Sequence, residues 1–374
     1  MEKKYILTPG PTMVPPEVLA ASAKTIIHHR SPDYTPINQR VNEGLKYVFQ
    51  TKNPVITFSS SGTGAMEGAV TNVCSPGDKV ITVQGGKFGE RWTELAKAFG
   101  VEPIVIDVVW GEAVKPAVIE EALKNNPDVK AVYVTLCETS TGALTDVKSI
   151  GEIVAKTNAI LVVDAVSGLG AEEFYTDDYK ADIVVTGSQK ALMLPPGLAF
   201  ASISEKAQNL MKDAKCPKYY FSYAKALKAY AKDDTAFTPA VNLTFALEEA
   251  LKMIKAEGIE NVWARHKRLA LATREGVKAM NLEIFTKDPS NVVTAISVPE
   301  EYCSKVTKIL RDKHGITITG GQDALKGKII RIATLGYAGT FDVLTVIGAL
   351  ELTLKELGHN FTLGAGVSKT LEYL

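Results

Sequence analysis

Short apolar runs alternate with amphipathic segments along the first 240 residues. The runs are apolar at successive positions, which is typical of strands buried on both faces, and the segments between them place apolar residues at helical spacing. Strands of this kind joined through helices form a mostly parallel sheet that helices cover on both sides. The predicted strands are 55–58, 79–83, 102–106, 131–136, 159–164 and 182–186, with 198–204 as a candidate seventh. The predicted helices between them are 65–73, 88–99, 116–125 and 149–157.

The pattern changes after about residue 240. Two long amphipathic helices are followed by shorter strands and helices, an order that predicts a smaller α+β domain beside the sheet domain. The chain has 374 residues, more than a single core usually holds. We therefore expect an α/β protein with a large domain over residues 16–258 and a smaller domain made from residues 1–15 and 259–374. The predicted elements here are helices 243–257, 258–280, 303–313 and 341–357 and strands 293–298, 316–318 and 328–333.

The charge balance and the cysteine content indicate which partners and which cellular compartment to expect. Lysine plus arginine equals aspartate plus glutamate at 42 each, so no net charge favours nucleic acid or an anionic membrane as a partner. The four cysteines are far apart with no CxxC pair, which argues against a disulfide framework or a metal site and favours the reducing cytoplasm. Early prolines argue against a signal peptide, and no run approaches the roughly 20 apolar residues of a membrane helix.

In an open α/β sheet, ligands bind at the carboxyl ends of the strands, so the residues that follow each strand are candidates for chemistry. Lys190 follows the strand at 182–186 and lies between two apolar segments, where lysine is rare. Loss of solvation there would lower the pKa of its amine, and a neutral amine can attack a carbonyl to form a Schiff base. A lysine that reaches solvent from a loop explains the same position equally well.

Two further strand ends carry polar groups. Asp164 ends the strand at 159–164, and a carboxylate there needs a partner, either the protonated nitrogen of a pyridine ring or, in an ordinary α/β fold, an N-cap or magnesium. Ser61-Gly62-Thr63-Gly64 opens a helix, and its free N–H groups and two hydroxyls suit a phosphate. Simple helix capping accounts for that turn as well.

Four more side chains are candidates. Thr139 follows the strand 131–136 in a loop whose hydroxyls would reach a bound ring, and a plain loop of turn-forming residues is the alternative. Gln189 offers an amide to a phosphate. Phe88 follows a strand beside a glycine, where it would stack on a flat ring or belong to the core. Arg331 is flanked by isoleucines in a predicted strand. Its planar guanidinium suits a substrate carboxylate, and a surface-facing arginine is the alternative.

The order and spacing of these motifs resemble the class V aminotransferases of the fold type I pyridoxal phosphate enzymes, most closely the alanine–glyoxylate and serine–pyruvate aminotransferase group. Each motif is short, and their order and spacing together are specific. They are Leu7-Thr-Pro-Gly-Pro, Ser61-Gly-Thr-Gly, Glu138-Thr-Ser-Thr-Gly, Val163-Asp-Ala-Val, Gly187-Ser-Gln-Lys, Pro195-Pro-Gly and Arg331-Ile-Ala-Thr-Leu-Gly.

The resemblance implies pyridoxal 5'-phosphate as the cofactor and gives the matching residues their roles. Lys190 is then the Schiff-base lysine and the carrier of the α-proton, Asp164 pairs with the pyridinium nitrogen, and Arg331 clamps the substrate carboxylate. Gly10 lines the substrate entrance. The implied cofactor contacts are Ser61, Gly62, Thr63, Thr139, Val166 and Gln189, with Phe88 where the group often has a stacking tryptophan.

The implied assembly is a homodimer with its sites at the interface, in which the neighbouring subunit lends a phosphate contact from the position of Thr238. The implied reaction passes the amino group of alanine or serine to glyoxylate or pyruvate. Aspartate, phosphoserine or aminoethylphosphonate are alternative substrates within class V.

Two other functions are possible on the same fold. A lyase such as a cysteine desulfurase needs a reactive cysteine in a matching motif, which Cys216 and Cys303 lack. A non-catalytic protein that has kept the fold would be expected to lose Lys190, Asp164 or Arg331, and all three are present.

Overall fold

The structure is a computed structural model that describes residues 3–374, so Met1 and Glu2 of the expected segment 1–15 lie outside the described residues. The strands are β1 (Tyr5–Ile6), β2 (Val55–Phe58), β3 (Lys79–Gln84), β4 (Glu102–Asp107), β5 (Ala131–Thr135), β6 (Cys137–Glu138), β7 (Ala143–Leu144), β8 (Ile160–Asp164), β9 (Ile183–Gly187), β10 (Ala199–Ile203), β11 (Glu283–Ile284), β12 (Val293–Ser297), β13 (Ile316–Thr317), β14 (Thr319–Gly320) and β15 (Ile329–Ala333). The helices are α1 (Pro16–Ser22), α2 (Tyr34–Phe49), α3 (Gly62–Thr71), α4 (Lys87–Ala98), α5 (Pro116–Asn125), α6 (Val147–Val154), α7 (Glu205–Leu210), α8 (Tyr223–Tyr230), α9 (Val241–Glu257), α10 (Ile259–Ala279), α11 (Glu300–His314), α12 (Thr340–Glu356) and α13 (Ala365–Leu371).

A seven-stranded sheet in the order β2-β10-β9-β8-β5-β3-β4 forms the centre of the larger part of the molecule. From β9 to β4 the neighbours run parallel, and β10 runs antiparallel to both β2 and β9. Successive residues of one strand pack into different cores because side chains alternate across a sheet. Leu161 and Val163 of β8 belong to one apolar cluster, and Ile160 and Val162 belong to the other. The predicted mostly parallel sheet, covered on both faces, is confirmed.

A second, antiparallel sheet in the order β11-β12-β15-β14 lies in the C-terminal part of the chain. Its side chains share a third apolar cluster with α11, α12 and Leu7. The strand predicted at 316–318 is present as β13 and belongs to a separate two-stranded sheet. Ile316 and Thr317 pair in parallel with β1, and the neighbour of β15 is β14. The chain start is therefore tied to the C-terminal part by backbone hydrogen bonds.

Five helices were not predicted from the pattern: α1, α2, α7, α8 and α13. The longest, α2, carries apolar residues at helical spacing, with Val41, Leu45 and Val48 buried against the sheet core. A smaller difference matters for the site. Helix α3 begins at Gly62 and not at the predicted residue 65, so Gly62 and Thr63 lie in its first turn.

No helix within residues 3–374 has both the length and the apolar character needed to cross a bilayer. The four cysteines are buried and form no disulfide.

Candidate active site

One cavity of about 110 Å³ lies where the carboxyl ends of β8 and β9 meet the N-terminal turns of α3 and α4. Every predicted cofactor residue except Thr238 lines it. Several further side chains complete the wall. The lining residues are Ser61, Gly62, Thr63, Met66, Phe88, Arg91, Cys137, Thr139, Asp164, Val166, Ser167, Gln189 and Lys190.

Lys190 is buried, with 9% of its surface exposed, and the alternative of a lysine that reaches solvent is wrong. Its Nζ donates a hydrogen bond to the carbonyl oxygen of Pro9. Burial lowers the pKa of Lys190 to about 8, and the Asp164 carboxylate partly opposes this shift. The backbone at Gly10 can lie this close to the Lys190 side chain because glycine has no Cβ atom. A Cβ atom at Gly10 would lie 2.6 Å from Lys190 Nζ.

Asp164 ends β8 and is 4% exposed. Its Oδ1 accepts a hydrogen bond of 2.9 Å from the backbone N–H of Val166, and this is the one hydrogen bond to the carboxylate from residues 3–374. Burial raises the pKa of Asp164 to about 6. At pH 7 the site therefore holds a mainly ionised carboxylate and a mainly protonated amine, both less strongly charged than in water.

The first turn of α3 has the features of an anion site. Ser61 is the N-cap residue, yet its side chain makes no capping hydrogen bond, so simple capping does not explain it. The N–H groups of the first turn and the helix dipole favour a negative group there. Gln189 Oε1 is buried without a hydrogen-bond partner in residues 3–374, and a side-chain amide can also present its NH2 group. Gly62 packs on Val166, where a Cβ atom would lie 2.7 Å from Val166 Cγ2.

Glu138 fixes the start of α4, a role that was not predicted from the sequence. Its carboxylate accepts hydrogen bonds from the N–H groups of Phe88 (3.1 Å) and Gly89 (2.9 Å) and from Ser140 Oγ (2.5 Å). Burial raises the pKa of Glu138, and these hydrogen bonds act in the opposite direction. Phe88 is thereby positioned in the cavity wall.

The hydroxyl groups of the loop after β5 were expected to reach a bound ring. The Ser140 hydroxyl instead bonds to Glu138, and Thr139 Oγ1 lies 2.7 Å from Ser167 Oγ. Thr139 and Ser167 line the cavity, whereas Ser140 does not. Of this loop, only the Thr139 hydroxyl remains available to a ligand.

Arg331 lies on β15 and is buried, so the surface-facing alternative is wrong. Its Nη1 donates to the carbonyl oxygen of Thr139 (2.9 Å), and its Nε and Nη2 donate to that of Gly320 (3.0 and 2.8 Å). Burial lowers the pKa of Arg331 to about 10, so the guanidinium stays charged at neutral pH. Three of its five N–H groups are engaged, which leaves two for a carboxylate beside the cavity wall.

Thr238 lies away from this cavity within the single chain. It lines a separate cavity of about 60 Å³ together with Ser59, Tyr220 and Phe237. The predicted phosphate contact from a neighbouring subunit stays a prediction.

Four lining residues were missed from the sequence: Met66, Arg91, Cys137 and Ser167. A signal existed for Arg91, because residues three apart on a helix share a face and Phe88 precedes it by three. Across the part of the chain that the structure describes, no group of three or more His, Cys, Asp and Glu side chains is placed to hold a metal ion.

The chain is similar to known proteins over nearly its whole length. The family model "Aminotransferase class-V" matches residues 4–340. The chain is 42% identical to the soluble hydrogenase 42 kDa subunit of Anabaena cylindrica, over 98% of this chain and 97% of that protein. It is 35% identical to the L-aspartate–glyoxylate aminotransferase of Paracoccus denitrificans (98% and 95%). It is 33% identical to the serine–glyoxylate aminotransferase of Methylorubrum extorquens (100% and 96%).

A solved structure has the same fold. The ureidoglycine–glyoxylate aminotransferase of Bacillus subtilis superposes with a TM-score of 0.95 at 29% identity, covering 100% of this chain and 98% of that chain. The similarity therefore extends over both sheets and the cavity between the strand ends.

The environment of Lys190 predicts its chemical reactivity. In the cofactor-free protein we expect acylation of the Lys190 amine to rise with pH around a midpoint near 8, because burial lowers its pKa to about 8. Competitive labelling over about pH 6 to 11 with peptide mass spectrometry measures this midpoint. Lys79 is the internal reference, since its hydrogen bond to Asp128 raises its pKa. A midpoint for Lys190 at or above that of Lys79 would contradict the buried environment.

Proposed function

Because the chain belongs to the class V aminotransferases, which are pyridoxal phosphate-dependent transferases, we propose that it transfers the amino group of alanine or serine to glyoxylate or pyruvate. The observation that carries this proposal is the single cavity that contains the buried Lys190 and Asp164, with Arg331 bound to its wall. An amine, a carboxylate and a guanidinium in this arrangement supply the groups that the reaction needs.

The residues present fit the cofactor. The first turn of α3 and the Gln189 amide would hold its phosphate group, and Phe88 and Val166 would lie against its ring. Asp164 has one oxygen free of hydrogen bonds from residues 3–374 and would pair with the ring nitrogen. When bound, pyridoxal phosphate supplies an electron sink for the breaking of a bond at the α-carbon of an amino acid.

Lys190 would anchor the cofactor aldehyde and then carry the α-proton. A pKa of about 8 suits both tasks, because the amine can lose its proton near neutral pH and take one up again. Asp164, with a pKa of about 6, is mainly ionised at neutral pH, so it can keep a proton on the nitrogen of the ring. The Pro9 carbonyl, which accepts from Lys190 Nζ, orients the amine.

Arg331 would bind the α-carboxylate that amino acids and 2-oxo acids share. Its two remaining N–H groups can form a bidentate pair with a carboxylate, and its burial strengthens that pair. This interaction selects substrates that carry an α-carboxylate. Recognition of the substrate's side chain then depends on other contacts. Glyoxylate as the acceptor is supported by the names of the Paracoccus and Methylorubrum relatives. The same names support serine as a donor and keep aspartate as the alternative.

We further propose a cytoplasmic homodimer with a large domain at residues 16–258 and a small domain from residues 1–15 and 259–374. The pairing of β1 with β13 supports assigning the chain start to the small domain. Helix α10 spans the division, since Ile259 and Trp263 pack in the sheet core and Leu269 and Val277 in the third cluster. Thr238 does not line the cavity that holds Lys190 in its own chain, which suits a contact with a partner's site.

A donor and acceptor panel tests the reaction. We expect purified enzyme to convert the bound cofactor to its amine form with alanine or serine and to return it with glyoxylate or pyruvate, followed by the change in visible absorbance. Lys190→Ala should lose both half-reactions, because its amine anchors the cofactor and moves the proton. Lys124→Ala, on the exposed face of α5, is the matched control. If only aspartate reacts, aspartate and not alanine or serine is the donor. If no amino acid reacts, the proposal is refuted.

The carboxylate clamp predicts a specific kinetic effect. Arg331→Met should raise KM for both the amino acid and the 2-oxo acid about 10- to 100-fold, since a charged hydrogen-bonded pair is lost. The affinity for pyridoxal phosphate should change little, and Arg331→Lys should recover part of the loss. Steady-state kinetics and cofactor titration measure the two quantities separately. A loss of cofactor affinity with unchanged KM would place Arg331 at the cofactor instead.

A further inference from the structure

Arg91 is a charged residue of the cavity wall that the proposed reaction does not yet use. It lies on α4, one turn after Phe88, and is held on two sides. Its Nη1 donates a hydrogen bond of 3.1 Å to Thr63 Oγ1. Its guanidinium carbon lies 5.3 Å from the centroid of the Phe88 ring, within the range of a cation–π contact. The guanidinium is therefore fixed between the aromatic wall and the first turn of α3.

Within the part of the chain that the structure describes, no carboxylate forms an ion pair with this guanidinium, which lies near enough to Asp164 to lower the pKa of that carboxyl, against the larger effect of burial. Among residues 3–374, none of the ion pairs within 4.0 Å includes Arg91. One of its five N–H groups is bonded to Thr63, and four remain for another partner. The guanidinium is half-buried in the cavity wall, so an anionic ligand in the cavity would be its natural ion-pair partner.

The two anions expected in the cavity belong to the cofactor and to the substrate. Arg331 is held at the Thr139 carbonyl and is committed to the substrate carboxylate. Arg91 is held at Thr63, in the helix turn whose N–H groups and uncapped Ser61 favour a phosphate. We propose that Arg91 is a further cofactor-binding residue whose guanidinium contacts the phosphate group of pyridoxal phosphate. This inference rests on the proposed function, since it takes that cofactor as given.

With this contact, each of two arginines binds one anion: Arg91 the phosphate of the cofactor and Arg331 the carboxylate of the substrate. An arginine presents paired N–H groups that match two oxygens of a phosphate, whereas backbone N–H groups contact single oxygens. Arg91 thus adds positive charge to a turn that otherwise offers only dipoles and hydroxyls. The Phe88 ring beneath it restricts its rotation, so less conformational entropy is lost when the phosphate binds.

A purely structural role for Arg91 makes a different prediction. If Arg91 only supports Phe88 and Thr63, its loss disturbs the wall for any ligand that contains the pyridine ring. Pyridoxal, which lacks the phosphate, separates the two roles, because a phosphate contact matters for pyridoxal phosphate alone.

The test is a titration of the cofactor-free protein with pyridoxal phosphate and with pyridoxal, followed by absorbance. We expect Arg91→Met to raise Kd for pyridoxal phosphate about 10- to 100-fold and to change Kd for pyridoxal less than about threefold. Arg91→Lys should recover part of the affinity, because it keeps the charge and loses the paired geometry. Arg40→Met, which removes an exposed arginine of α2, should match the wild type. Inorganic phosphate should compete with pyridoxal phosphate less strongly in Arg91→Met than in the wild type.

Equal loss of affinity for both ligands, or no loss for either, would overturn the inference. If Arg91→Met does not fold, the Lys variant still decides, since unchanged affinity for pyridoxal phosphate together with weaker pyridoxal binding would contradict a phosphate contact. Failure of the wild type to bind pyridoxal phosphate is a separate result that refutes the proposed function itself.

Discussion

The burial of an amine and a carboxylate in one cavity is the constraint on which the site depends. Lys190 and Asp164 follow neighbouring parallel strands, β9 and β8, whose carboxyl ends meet at one edge of the sheet. Removing both groups from water lowers the pKa of the lysine to about 8 and raises that of the aspartate to about 6. The pKa of Lys190 then lies near the pH at which its amine would exchange protons, while Asp164 stays mainly ionised at neutral pH.

Two other buried charged residues, Glu138 and Arg331, fix the elements that surround Lys190 and Asp164. Glu138 binds the first N–H groups of α4, which fixes Phe88 in the wall. Arg331 reaches from the antiparallel sheet to the Thr139 carbonyl and so connects the two sheets at the cavity. In each case a charged side chain is bonded to backbone groups, which satisfies the charge and fixes the loop at the same time.

The sequence predicted the parts of the site that follow from one strand end. Lys190, Asp164 and the turn at Ser61 each interrupt an apolar pattern, so their positions stand out without a structure. Glu138 and Arg91 did not stand out, because their roles depend on partners 49 and 28 residues away in the chain. The same limit applies to Ile316, which pairs with β1 at the opposite end of the chain. Thr238 is a harder case, since its predicted partner belongs to a second subunit.

Chemical trapping of the cofactor shows which lysine anchors it. Borohydride reduction of the purified enzyme fixes any imine between pyridoxal phosphate and a lysine, and peptide mass spectrometry locates the modified residue. We expect a single pyridoxyl-phosphate adduct, on the peptide that contains Lys190. An adduct on another lysine, such as Lys87 beside Phe88, or no adduct in enzyme that binds the cofactor, would contradict the assignment of Lys190 as the anchor.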